Sequence, residues 1–223
     1  MCYSIESSAK TSLYSLIVII VLFSSNIPHF RWIALIMVGW CGMQFAELLL
    51  WLTNPRKSCT TANKIITFTL VPFILMIQPL CATVGSLIVK PWAKCSNNRK
   101  LFIVLFSIFS TIMLIMYFYG NITKQCTTVT PEGHLDWWLS KYEVTKYKAY
   151  MNWLIIISIP IFVLWDMSYK LLVALFIMPA FGFYYGLTTD SKGSIWCYYT
   201  SFTSLVSLLA YGLYKFKIYN ILK

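Results

Sequence analysis

Long apolar runs alternate with short polar connections along the whole chain, and seven of them are candidates for membrane helices, which need about 17–25 residues. They cover residues 12–25, 32–52, 61–89, 101–119, 150–165, 169–187 and 194–214. The pattern predicts an all-α fold: residues 1–223 form a single transmembrane domain, a bundle of seven helices. Residues 121–149 form the one hydrophilic stretch, a surface loop. The first run is the shortest, and Pro28 follows it closely. A signal peptide is the competing reading there, but Lys10 is offset by Glu6 and Ser24-Ser25-Asn26 makes a poor cleavage site. The run is therefore read as a membrane helix. The third run is overlong and holds Pro72 and Pro79. Proline removes a helical hydrogen bond and clashes with the preceding turn, so kinks are expected there and at Pro160 and Pro179.

Composition strengthens this reading. The 223 residues are 59% hydrophobic and 11% charged, against about 25% charged in an ordinary soluble domain. The lipid bilayer is thus the first partner. A net charge of +11 does not imply nucleic acid. Lys90-Pro91-Trp92-Ala93-Lys94 and Arg99-Lys100 flank spans, where basic residues meet anionic lipid headgroups.

Seven crossings put the termini on opposite faces, and the basic residues then divide nine against nine, which decides no orientation. Cysteines separate the faces better. Cys2, Cys59, Cys126 and Cys197 fall on the amino-terminal face, Cys41 and Cys81 lie within helices, and Cys95 alone lies in a loop opposite. Four on one side suit two disulfides in an oxidising compartment, with three connectivities open. The competing reading is four unrelated thiols. Asn121-Ile122-Thr123 on the same face is a glycosylation sequon. The expected orientation is an extracellular or lumenal amino terminus and a cytosolic carboxyl terminus. In the loop, Leu135-Asp136-Trp137-Trp138-Leu139-Ser140-Lys141-Tyr142 mixes aromatics with charge. It reads as a surface helix capping the bundle, or as a connection with two tryptophans at headgroup level.

The candidate chemistry centres on Glu47, the only acid embedded in an apolar run. An ionisable group costs roughly 2.5–3.5 kcal/mol at the centre of a membrane helix, so Glu47 should face protein or water. Trp40, Gln44, Glu47 and Trp51 recur at helical spacing and share a stripe, while Gly39 and Gly42 permit close approach of a neighbour. Gln78 falls near the same depth, and Thr200, Ser204, Ser207 and Tyr211 make a polar stripe on the seventh run. A mid-membrane cluster of Gln44, Glu47, Gln78 and seventh-helix hydroxyls is expected. Burial disfavours the charged carboxyl, and no lysine or arginine lies deep in a span, so Glu47 is expected neutral at rest. Such a cluster serves a small molecule or a proton, or else acts as interhelical glue worth about 0.6–2 kcal/mol per bond.

Several chemistries drop out. The seventh run has no lysine for a retinal Schiff base, and the two histidines, His29 and His134, fall on opposite faces, which leaves no metal site. No phosphate loop marks a nucleotide cofactor, and no cofactor is expected. The absence of Asp-Arg-Tyr and Asn-Pro-x-x-Tyr disfavours a rhodopsin-type receptor. An amino-terminal Cys2 nucleophile lacks oxyanion partners, which makes an intramembrane enzyme the weakest reading.

Met1-Cys2-Tyr3-Ser4 with Ser8, Gln44-x-x-Glu47-x-x-x-Trp51, Cys59 and Gln78-Pro79 together resemble a known pattern. It is that of small membrane proteins of bacteria and large DNA viruses that begin Met-Cys-x-Ser. The resemblance covers roughly the first eighty residues. It implies a seven-helix fold and brings no established activity. The function expected is transport or small-ligand binding around Glu47. The alternative is a structural or interaction protein of a cellular or viral membrane.

Overall fold

The computed structural model describes residues 4–120, 126–137, 143–166, 168–188 and 192–217; Cys2 and Asn121 lie outside them. Seven helical rods run through the described residues. The first two are α1 (Ile5–Phe23) and α2 (Pro28–Leu52). The third joins α3 (Thr61–Ile65), a π turn (Ile66–Leu70) and α4 (Val71–Gly85). Then come α5 (Asn97–Gly120), α6 (Glu143–Leu164) and α7 (Tyr169–Leu187). The last rod is α8 (Lys192–Ser201) followed by α9 (Thr203–Lys215). Five of the helices are long and apolar enough to cross a membrane, and Tyr150–Leu164 is a shorter apolar one. This is an integral, multi-pass membrane protein.

The distribution of side chains supports the lipid environment. On α1, Ser8, Thr11 and Ser15 are buried, whereas Leu13, Leu16, Ile17 and Ile20 are more than half exposed. A water-soluble helix would turn that pattern around. The small hydroxyl residues let α1 approach its neighbours closely, and the branched chains face lipid. The helix also starts at Ile5 rather than at Ser12, because Ser4 caps it by accepting a hydrogen bond from Ser7 N–H at 3.2 Å. Hydropathy alone hides this first turn, whose Glu6 pairs with Lys10 at the surface.

Helix α2 is the central element. Two thirds of its apolar window (67%) is buried, against 22–44% for the other spans. Gly39 explains one close approach: a Cβ there would lie 2.8 Å from Cα of Gln78 on α4. Trp32 ties the same two helices at the opposite end, donating from Nε1 to the Ala82 carbonyl at 2.8 Å.

Proline shapes the third rod. Pro72 has no N–H for the Phe68 carbonyl four residues back. The π turn Ile66–Leu70 immediately precedes it and takes up the mismatch. The seventh rod departs from the expected single helix. At Phe202 the N–H bonds the Tyr199 carbonyl at 3.1 Å, a tightened turn between α8 and α9. Ser201 and Ser204 donate to the carbonyls of Tyr198 (2.6 Å) and Ser201 (2.7 Å), and such back-bonding bends helices.

A two-stranded hairpin stands where a surface helix or plain connection was expected. β1 (Thr128–Val129) pairs antiparallel with β2 (Leu135–Asp136), with Thr128 opposite Asp136 and Val129 opposite Leu135. Gly133, at φ 87°, takes the left-handed turn position that a side chain would disfavour. Leu135, Asp136 and Trp137 are all buried, so this part of the loop packs into the bundle rather than resting at the headgroups. Residues 138–142 lie outside the described ones.

Candidate functional site

Two devices fasten the hairpin. The first is a disulfide, Cys59–Cys126, with Cα atoms 5.8 Å apart. The second is Asn63 of α3, which acts like an extra strand residue towards Thr127. Its Oδ1 accepts from Thr127 N–H (2.9 Å), and its Nδ2 donates to the Thr127 carbonyl (3.2 Å) and to Thr53 Oγ1 (3.1 Å). Thr67, set in the π turn, bonds Thr127 Oγ1 at 2.8 Å. Asn63, Thr67 and Thr127 are at most 1% exposed, so these bonds are made away from water, where losing one is costly. Cys197 is buried on α8, Cys41, Cys81 and Cys95 are thiols, and Cys2 is among the undescribed residues. Of the cysteines expected to form bridges, Cys59 and Cys126 are thus paired.

What the fastened loop delivers is Trp137. Its Nε1 donates to Glu47 Oε1 at 3.0 Å. The other oxygen, Oε2, accepts from Gln44 Nε2 at 3.1 Å, and Gln44 Oε1 accepts from Thr11 Oγ1 of α1 at 3.0 Å. A polar chain therefore links α1, α2 and the hairpin loop through one carboxyl. Glu47, Gln44 and Trp137 are each 1% exposed or less. Glu47 lies five residues before the end of α2 at Leu52, about 7.5 Å along the axis. The carboxyl sits near the hairpin face of the bundle, within reach of a loop.

The expected cluster is also divided. Gln78 faces inward but takes its hydrogen bond from Trp153 of α6, Nε1 to Oε1 at 2.8 Å. Ser204 bonds Ser15 of α1 at 3.4 Å, and Ser201 bonds Tyr14 at 2.9 Å, so this hydroxyl stripe seals α9 and α8 to α1 rather than lining Glu47. Ser207 is buried, with no hydrogen-bond partner among the described residues. Trp51 is buried nearer the rim, with the Arg56 guanidinium 5.6 Å from its ring centre.

Trp40 belongs to an aromatic wall that the sequence does not announce. Its ring meets Trp196 of α8 at 5.7 Å and Phe176 of α7 at 5.8 Å. Trp196 in turn meets Trp153 edge-on at 4.8 Å, and Trp153 meets Tyr150 at 5.8 Å. The wall carries donors with no acceptor among the described residues: Trp40 Nε1, Gln78 Nε2 and the Tyr150 hydroxyl. In the loop, burial pushes the His134 imidazole below its usual range, which keeps the buried ring neutral at pH 7.

Gly193 seats Trp137. A Cβ there would fall 2.5 and 2.6 Å from Cη2 and Cζ2 of Trp137. Alanine at Gly193 is expected to displace the indole and to lower stability by about 1–3 kcal/mol, the usual cost of overpacking. At Gly212, where a Cβ meets nothing within 4 Å, alanine should be neutral or slightly stabilising. Thermal unfolding of both variants in detergent checks the pair. Equal midpoints for Gly193→Ala and wild type would unseat Trp137 from this position.

Comparison with protein-family models, curated proteins and solved structures finds no match for this chain.

Proposed function

We propose that this membrane protein binds, or carries across the bilayer, a small molecule or a proton at Glu47, with the hairpin as the cover of the site. One observation carries the reading: the acid in the most enclosed helix is bonded to Trp137 of an external loop as well as to Gln44 of its own helix. A carboxyl that served only to join helices would need no partner from a loop anchored by a disulfide and a buried asparagine. The disulfide-bearing face is the one proposed to lie in an oxidising compartment, with the carboxyl terminus in the cytosol.

A second reading, Glu47 as packing glue, draws on the same geometry, since both carboxyl oxygens accept a hydrogen bond. Glu47→Gln separates the two. It keeps the volume and the acceptor for Trp137, so its stability cost should be about 1 kcal/mol. Small amines are screened by thermal shift in detergent, and pH-driven flux is measured in proteoliposomes. At about 100 times Kd a ligand should stabilise the wild type by about 2.7 kcal/mol, and Glu47→Gln should lose both that shift and the flux. Identical flux and shifts in the two proteins would make the carboxyl a packing group.

A further inference from the structure

The opposite face of the bundle holds a cavity of about 690 Å³ between the α1–α2 connection and the end of α9, lined by Ser24, Asn26, Tyr211, Tyr214, Lys215 and Lys217 among others. That volume falls in the range of ligand pockets, about 300–1,000 Å³. Its charge is one-sided. Two lysines line it and no acid does, and neither lysine makes an ion pair among the described residues. The remaining polar lining is hydroxyl and amide, able to donate to oxygen acceptors.

The walls are built rather than incidental. Phe30, fully buried at the start of α2, packs edge-on to Tyr211 at 5.2 Å and meets Tyr214 at 5.9 Å. Lys215 Nζ stands 5.8 Å from the Tyr211 ring centre and 3.5 Å from its hydroxyl, which restrains the ammonium at the rim. Lys217 adopts a left-handed backbone, φ 57°, an uncommon conformation for a side-chain-bearing residue. Its N–H bonds the Tyr214 carbonyl at 3.1 Å while Phe216 N–H bonds Gly212 at 2.9 Å, so the chain turns back after α9 and returns Lys217 to the cavity. Beside the two lysines, Phe216 is 76% exposed and Leu209 63% exposed. A polyoxygen anion thus meets cations and donors where an apolar surface begins.

We propose that this cavity is a binding site for the phosphate-bearing headgroup of an anionic glycerophospholipid, whose acyl chains lie along the exposed apolar side chains of α1 and α9. The chemistry selected is a phosphate carrying further oxygen groups. A free phosphate would satisfy the lysines but leave the apolar border unused.

The test uses the full chain, purified in neutral detergent and offered phosphatidylglycerol, phosphatidylcholine or inorganic phosphate, with bound lipid read by native mass spectrometry and stability by thermal unfolding. Wild type should retain phosphatidylglycerol at least about 30-fold over phosphatidylcholine. The Lys215→Gln/Lys217→Gln double variant should lose roughly 30-fold in that preference, the factor expected for two interfacial lysines. Its unfolding midpoint in phosphatidylcholine should stay at the wild-type value, which shows that the fold is intact. Lys90→Gln/Lys94→Gln, on the same face but outside the cavity, should keep the preference. Equal loss in both double variants would reduce the effect to general surface charge and overturn the site. Stabilisation by inorganic phosphate equal to that by phosphatidylglycerol would overturn the lipid assignment.

Discussion

Replacing Trp137 by alanine is expected to lower stability by about 3–5 kcal/mol, the usual cost of emptying a buried tryptophan site, and to eliminate the ligand or proton handling proposed for Glu47. Three consequences combine. The indole is 1% exposed and rests on Gly193, so its removal opens a void beneath the hairpin. Glu47 Oε1 loses its donor while still shielded from lipid and water. The hairpin then loses the indole's seat on Gly193 and its bond to Glu47, while Cys126 and Thr127 still hold its other strand. Trp137→Phe divides these effects. Phenylalanine fills most of the space and donates nothing, so its deficit reads mainly the hydrogen bond, about 1–3 kcal/mol for a buried acceptor left unmade. Unfolding curves for both variants, with carboxyl infrared bands for Glu47, provide the check. A Trp137→Ala protein within about 1 kcal/mol of wild type would show that the loop carries no weight on the bundle.

Breaking the Cys59–Cys126 bridge should have the second largest effect. The cysteines are 67 residues apart in sequence, and the chain-entropy relation gives about 4 kcal/mol for a loop of that length. This is an upper bound, because spans that stay inserted already restrict the unfolded chain. The loss should also be local. Asn63 still clamps Thr127 after reduction, so Cys59→Ser should free the hairpin only partly. Cys59→Ser combined with Asn63→Ala is expected to cost less than the sum of the two, since both hold one loop. Thermal midpoints with and without reductant, for single and double variants, measure this. Strict additivity would mean that the two fastenings act on separate elements.

How far the sequence discloses this structure depends on the kind of signal. Apolar length places the rods, and four- and three-residue spacing brings Trp40, Gln44, Glu47 and Trp51 to the inside of α2, where all four are at most 7% exposed. Those are local, periodic signals. The start of α1 escapes hydropathy because Ser8 and Thr11 look solvent-facing until one sees that they are buried against neighbouring helices. The partners of Glu47 and Gln78 escape for another reason. Trp137 lies 90 residues from Glu47, and Trp153 lies 75 from Gln78. No spacing rule relates residues that far apart, and a tryptophan in or beside an apolar run looks the same whether it meets lipid or a carboxyl. Asn63 and Gly193 are quieter still, since each matters through a single neighbour: the Thr127 backbone for one, the Trp137 ring for the other. The break at Phe202 has a visible cause in Ser201 and Ser204, though not a predictable position.

The 90 residues between Glu47 and its indole partner also impose a waiting time. Ribosomes add about 5–20 residues per second, so Glu47 is polymerised about 5–18 s before Trp137 exists. Throughout that interval the carboxyl must be tolerated in a nascent, half-built membrane protein. Gln44 and Thr11 are already made by then, and both precede Glu47 in the chain. The α1–α2 hairpin therefore supplies Glu47 with a provisional partner from the start, and the external loop arrives later to complete what those two residues have sheltered.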